Sequence, residues 1–416
     1  MNILQSQNTP DTASKISVLT NHRWMGKRFF IDYSGALQKQ ANGLFTKGRV
    51  SVHNANSAVQ LAKLTETLTP NDALCLGVPK DGGINLPVVT RSLKQRLTTG
   101  SLPHLSRTKD DFVFPNGEGW LLIDHDTKDL PDKVKARLAD LGGIFEALQF
   151  IWPELIDGDF LVRPSSSAGV HIAGHPPNDA TGFHMFVRLE RAQDIPLSLQ
   201  ALHAKCWEHG LAYYMVSKSG QLLDRSIIDV SVGSPERLIF TAPPILASNV
   251  LRQGSPTSYQ SGRSLEAPNR PCGLAWSRHR DINRQQTQPH ANARRDAFLK
   301  ALIDKRVQSH GGTYEAAKAL TFSRVIGRSL FDEDVLILAT GRSVLVGELL
   351  GSLKKDEVIP CADPIEGPDY NPTAAAVIWK SKHKVPALIS HAHGLQTRYT
   401  FARFERQYKA RQEKQV

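Results

Sequence analysis

Long apolar runs are missing. No stretch of about 18 consecutive apolar residues, the length that crosses a bilayer as a helix, occurs in the 416 residues, so no membrane helix is expected. The opening MNILQSQNTPDTASK has no apolar core of the kind a secretory leader needs, and residues 1–17 read as a disordered tail. Cysteine is scarce: Cys75, Cys206, Cys272 and Cys361 stand far apart, with no CxxC pair to hold zinc and no dense disulfide framework. A reducing, cytoplasmic setting is the expectation. There is no GxxxxGK[ST] loop to cradle the phosphates of a fuel nucleotide, which excludes a P-loop motor, and no internal repeat.

What the chain does have is length and positive charge. It can support two or three domains, each burying its own core without a disulfide or structural metal. Lys and Arg number 51 against 40 Asp and Glu, a formal charge of +11, which favours a polyanionic partner such as nucleic acid or a nucleotide. Short strands (KRFFIDYS, GRVSVHN, DALCLGVP) alternate with helical patterns (SAVQLAKLTETL, DKVKARLADLGGIFEALQFIW, IPLSLQALHAKCWEHGL) up to about Ala267. That alternation predicts an α/β (α+β) domain over 18–267. A polar, basic stretch over 268–292 reads as a linker or a solvated surface segment that holds the domain boundary, and 293–416 as a helical, then β-rich accessory domain. Its strands are expected in DVLILA, SVLVGELL, AAAVIWK and PALISHAH, with a basic amphipathic helix or fraying tail at FARFERQYKARQEKQV.

The most informative segment is LLIDHD. On a strand Asp124 and Asp126 share one face while His125 points to the other, so two carboxylates aim at one place. Their mutual repulsion is relieved by a divalent cation, and hard oxygen donors suit Mg²⁺ or Mn²⁺. An acidic turn or helix cap would present the same residues. SIIDVSV reads as a second apolar strand and puts Asp229 where packing would call for an apolar residue; an ion pair with Arg225 or Arg237 is the plainer account. In TGFHMFVRLE, Gly182 permits a close backbone approach and His184 opens a strand, its imidazole able to donate to a phosphate. His171 in SSSAGVHIAG competes for that role. Ser165, Ser166, Ser167 and Gly169 offer hydroxyls and amides to phosphate oxygens, or simply make a polar loop.

Taken in order, LLIDHD, then GFHMFV, then IID resembles the three-motif signature of the archaeo-eukaryotic primase superfamily. In detail the chain is similar to primase-polymerases carried by prophages, plasmids and integrated elements, which share a glycine-ended strand like CLGVP, an RT-containing loop and a stretch like DRSIIDVSVGSPERLIFTAPP. The resemblance runs from about Arg23 to Pro244. It implies an RRM-like catalytic sheet beside an amino-terminal α/β unit, with the nucleotide in the cleft between them. It implies Asp124, Asp126 and Asp229 as ligands of two Mg²⁺ or Mn²⁺ ions, with His184 on the incoming nucleotide's phosphates and Arg237 on phosphate or template. Arg163 and Lys218 are further basic candidates. The zinc-binding Cys/His insertion of several relatives is not visible here.

The implied activity is primer synthesis on single-stranded DNA from NTPs or dNTPs, in replication of a mobile element or prophage, alongside a separate replicative helicase. A catalytically silent DNA-binding or helicase-loading protein and a metal-dependent nuclease are the alternatives. Asp363, Glu366, Asp369, His391 and His393 in the second half resemble metal ligands at first sight, although DP and GP turns account for the acids.

Overall fold

The computed structural model describes residues 13–97, 103–127, 130–177, 182–253, 256–379, 385–394 and 396–404. The chain forms two compact units. One is made by residues up to Tyr213 with Arg225–Asp281, the other by Tyr214–Asp224 with residues from Ile282 onward. Both mix helices and strands, as expected of an α/β (α+β) chain.

The first unit holds a five-stranded sheet in the order Asp72–Cys75, Lys15–Asn21, Lys47–Asn54, Leu86–Val89, Leu105–Ser106. Leu19, Val50, Ala73, Val88 and Phe112 fill one of its cores. Lys15, Ile16 and Ser17 lie in the first strand, so that part of the expected tail is ordered pairing; residues 1–12 lie outside the described residues. The helix Ala58–Glu66 starts where the Ser57 side chain accepts from the Gln60 amide.

A four-stranded antiparallel sheet follows, in the order Gly119–His125, Phe183–Leu189, Phe160–Pro164, Ser258–Gln260. Along the chain its elements run strand, two helices (Asp132–Asp140 and Ile144–Ile151), strand, strand, helix (Ile195–Glu208). The single helix expected over DKVKARLADLGGIFEALQFIW is broken at Gly142 and Gly143, whose φ angles of +94° and +126° leave helical space. Gly26–Ile31 lies between Ile245–Leu246 and Leu37–Asn42, and Val170–Ile172 pairs with Val250–Arg252. Phe29, Val170 and Val250 pack these two layers together.

In the second unit five short strands form a sheet in the order Ser329–Leu330, Thr397–Phe401, Ala387–Ser390, Ala375–Ile378, Val358–Cys361, with a core around Leu336, Leu349, Val377, Leu388 and Phe401. Of the segment expected as a linker or solvated surface over 268–292, the part from Ala275 lies in a helix running to His310, and the division between the two units, at Asp281 and Ile282, falls within it. Ala, Arg and Gln favour helix even on a fully solvated surface, and Pro289 forgoes one hydrogen bond without ending it. SVLVGELL is a strand only over Ser343–Leu345 and turns helical at Val346–Ser352. Of the amphipathic helix or tail expected over 401–416, Phe401 ends a strand and Ala402–Phe404 is a short 3₁₀ turn, while 405–416 lies outside the described residues. No helix among the described residues is long and apolar enough to cross a membrane.

One junction ties the first sheet to the rest of its unit. The Gly77 amide donates to the Pro235 carbonyl at 2.9 Å, and Leu74 exchanges backbone hydrogen bonds with Ile239 at 2.8 and 3.0 Å. A Cβ on Gly77 would lie 2.5 Å from the Pro235 carbonyl oxygen, so only glycine fits. Gly77→Ala should therefore cost about 1–3 kcal/mol by overpacking, read as a lower denaturant midpoint with an unchanged m-value. An unchanged midpoint would mean that Pro235 moves away freely.

Candidate functional site

The strand Gly119–His125 is buried along Leu121, Leu122 and Ile123 and delivers its polar end to the edge of the four-stranded sheet. Its register sets a row. Asp124 stands opposite His184, and His184 opposite Arg163, so an acid, an imidazole and a guanidinium line one face across three strands. His184 Nε2 is 3.6 Å from Asp124 Oδ1, beyond hydrogen-bond reach. His125 points to the opposite face, where its Nδ1 meets the Ile227 carbonyl at 2.7 Å and its ring packs on Phe183.

That contact draws the IID segment alongside. The Asp229 amide donates to the Asp124 carbonyl at 3.0 Å, so two of the three expected acids are backbone neighbours. Asp229 is not on a strand, however: the strand Leu222–Ser226 ends before it, and Asp229 caps the short 3₁₀ turn Val230–Val232. Its carboxylate accepts from the Ser231 amide at 2.8 Å and the Ser231 hydroxyl at 2.9 Å. A local cap has overridden the apolar strand pattern. Asp126 follows the strand's end and is exposed. A Cβ on Gly182 would be 3.0 Å from the His125 carbonyl oxygen and 3.7 Å from Asp126 Cα, so glycine lets the His184 strand start against Asp126.

Burial, then repulsion from Asp229 and Asp126, pushes the Asp124 carboxyl up to about 6, with Lys27 and Arg237 pulling the other way. Burial, Lys27 and Arg163 push His184 down to about 4, so it is neutral at physiological pH. Lys27 itself is lowered by burial and by Lys39.

Lys27 is the residue that sequence reading missed. It lies on the strand Gly26–Ile31, and its ammonium donates to Ser167 Oγ at 3.0 Å within electrostatic range of Asp124 and Asp126. The turn it meets is held by Arg252, whose guanidinium donates to the carbonyls of Ser165 (3.0 Å) and Ala168 (3.2 Å). Ser165 and Ser167 present hydroxyls 3.4 Å apart, whereas Ser166 is buried. His171 lies on the Val170–Ile172 strand with Nδ1 2.9 Å from the Gly169 carbonyl. Arg237 Nη1 donates to the Ser231 carbonyl at 2.7 Å, and Arg107 of the RT loop to the Glu236 carbonyl at 3.3 Å. The CLGVP strand, the RT loop and the PERL segment thus meet around Arg237. Lys218 belongs to the second unit, where its charge acts on Glu366.

In that second unit Glu366 Oε1 lies 3.1 Å from His393 Nε2 and accepts from Ser219 Oγ at 3.1 Å. Asp363 caps its own turn through the amides of Ile365 and Glu366, while Asp369 and His391 are exposed. Asp363 thus serves a turn and Glu366 a clasp.

Three carboxylates in one corner, one held at about 6, are a donor set suited to a hard divalent cation. Each Asp229 oxygen retains a lone pair after the Ser231 contacts. No three or more His, Cys, Asp or Glu side chains among the described residues are grouped closely enough to hold a metal ion. Comparison with family models, curated proteins and solved structures finds no match to this chain.

The Asp124 proton is bound more tightly in the fold, at about 6, than at the ordinary 3.8. Its stabilising contribution is full below pH 3.8 and lost as pH rises through 6, leaving an ionised group facing two like charges. Mg²⁺ or Mn²⁺ should therefore raise Tm at pH 7.5 and much less at pH 5. Asp124→Asn should raise Tm in EDTA at pH 7.5 and abolish the cation effect in differential scanning calorimetry. An equal cation shift at both pH values would count against this electrostatic picture.

Proposed function

We propose that this protein is a DNA primase-polymerase, forming phosphodiester bonds from NTPs or dNTPs on a single-stranded DNA template with Asp124, Asp126 and Asp229 holding two divalent ions. The observation that carries the reading is the backbone contact between Asp229 and Asp124, with His184 beside them on the adjoining strand. The three motifs that resemble the primase superfamily in sequence thereby converge in space, although they lie far apart in the chain. The RRM-like reading is supported by the run strand, helices, strand, strand, helix, with the first strand next to the third and the third next to the second. The five-stranded sheet earlier in the chain supports the expectation of an amino-terminal α/β unit.

When bound, the divalent ions would supply Lewis acidity, lowering the pKa of the attacking hydroxyl and neutralising the departing pyrophosphate. The chain's own residues orient and screen. Neutral His184 can contact a phosphate oxygen without forming a fixed ion pair with Asp124. Arg237, tied to the Ser231 carbonyl, holds the turn that bears Asp229 and sets a positive charge near Asp124. Base pairing supplies specificity, so protein contacts to the template need reach only its backbone, and template affinity falls steeply with salt.

Incubation with single-stranded DNA and Mn²⁺ or Mg²⁺, with NTPs and dNTPs supplied separately, tests the reading. Primer-length products should appear with at least one nucleotide class. Asp229→Ala should reduce them by more than the roughly 10–100-fold typical of an outer-shell metal partner, with DNA affinity nearly unchanged. Cleavage of the DNA without nucleotides would identify a nuclease instead. Absence of both activities with intact binding would identify a catalytically silent DNA-binding protein.

A further inference from the structure

The strands Ile245–Leu246, Gly26–Ile31 and Leu37–Asn42 form a small sheet with one committed face and one open face. On the committed face Phe29 packs with Val170 and Val250, joined by Ile31 and Leu37. The register pairs Arg28 with Gln40 and Phe30 with Gln38. Strand side chains alternate and cross-strand partners share a face, so these four stand together on the other side. Arg28, Gln38 and Gln40 are exposed there and Phe30 is half-buried. Among the described residues, no hydrogen bond or ion pair engages the side chain of Arg28 or Gln40. The preceding residue, Lys27, belongs to the committed face and donates to Ser167 Oγ at 3.0 Å.

The turn that joins the two longer strands is held to one shape. Asp32 Oδ1 accepts from the Ser34 amide at 2.9 Å, the Ser34 hydroxyl at 2.6 Å and the Ala36 amide at 3.0 Å, and Oδ2 accepts from Gln38 Nε2 at 2.6 Å. The Ser34 hydroxyl first, then the Ala36 amide, hold the Asp32 carboxyl down at about 2. What the turn carries outward is Tyr33, which is wholly exposed. A turn fixed by four hydrogen bonds around a tyrosine that buries nothing adds nothing to a core; what it does is present that ring.

We propose that Arg28, Phe30, Tyr33 and Gln40 form a platform for single-stranded DNA, with unstacked bases against the two rings and the guanidinium and amide on phosphates and base edges. The proposal rests on the primase-polymerase reading for what the strand is used for, and not for how it is bound. Charge points to a polyanion: from His22 to Asn42 the chain carries Arg23, Lys27, Arg28 and Lys39 against one acid, Asp32, whose carboxylate is engaged inside the turn. Open ring faces point to a single strand, because in a duplex the bases stack on one another and hide theirs. A protein partner would call for a continuous apolar patch, whereas the rest of this face is polar. Every base has a π-face, so the platform holds a strand with little regard to its sequence.

The test follows the fluorescence anisotropy of a labelled oligo-dT strand on the full chain in EDTA, beside a duplex of the same length. The single strand should bind more tightly than the duplex. Tyr33→Ala should weaken the single strand about five- to a hundredfold, the range for one lost base stack, and leave the duplex unchanged. Arg28→Ala should weaken it too and lower the salt slope by about one. Asp32→Ala separates shape from charge: loss of an acid from a basic surface tightens binding if charge alone acts, whereas the platform requires weaker binding because Tyr33 is no longer held. Circular dichroism and Tm check folding, and if Asp32→Ala does not fold, Tyr33→Ala, which removes no core contact, decides alone. Wild-type affinity in Tyr33→Ala, an equal loss on duplex, or tighter binding by Asp32→Ala overturns the platform. If the variants weaken the single strand as described but no primer is made, the platform stands and the polymerase reading fails. If primers are made and single-strand affinity is indifferent to all three substitutions, the reverse holds.

Discussion

The pairing of Gly119–His125 with Phe183–Leu189 is the constraint on which the site rests, because it decides which face the polar residues share. A slip of one residue would send His184 to the side of His125 and leave Asp124 facing no imidazole. Apolar alternation cannot fix this register, since Leu121, Leu122 and Ile123 are all buried and both faces of the strand are covered. Particular contacts do it instead. Gly119 passes so close to Ala192 that a Cβ would lie 2.4 Å from that residue's own Cβ. The Trp120 indole donates to the Ala55 carbonyl at 2.9 Å, and Arg188 on the partner strand is held by Glu118 and Asp159. These lock the closed end of the ladder, and the open end inherits the alignment.

At that open end the protein accepts an unfavourable charge arrangement. Asp124 is pushed towards neutrality by burial and by two other carboxylates, while Arg163, on the other side of His184, leaves buried nitrogens without partners. A sequence selected for stability alone would pair the acid and the guanidinium directly. Here a neutral imidazole separates them, so each end keeps its capacity for an external group of opposite charge. Charge of both signs is thus held apart on paired strands rather than neutralised within the fold.

The acids and His184 were legible in the sequence because strand periodicity is local: residues two apart face the same way, and a histidine after a small-residue turn opens a strand. Asp229 was expected near the other two acids but not as a cap, since IID has a strand's composition and the 3₁₀ start comes from the Ser231 amide and hydroxyl on its carboxylate. Lys27 could not have been found this way. Nothing in KRFFIDYS distinguishes a lysine that enters a site from one that meets solvent, and its neighbour Arg28 on the same strand is exposed. The helix within 268–292 was not legible for the opposite reason: a polar stretch has the same composition whether it is a loop or a solvated helix, and here Ala, Arg and Gln around Trp276 and Pro289 sustain a helix.

The residues that tune the carboxylates come from outside the sheet that carries them. Lys27 arrives on a strand paired with Ile245–Leu246, and Arg237 on a segment clamped to Leu74 and Gly77. Because these attachments are backbone hydrogen bonds and a glycine contact, the positions of both cations depend on main-chain geometry rather than on side-chain choice. Loosening the Gly77–Pro235 junction would therefore reach Asp124 electrostatically, through Arg237, without altering any acid. The electrostatics of the carboxylate corner are thus a property of the whole first unit, and the three aspartates alone, grafted onto another sheet, would not reproduce it.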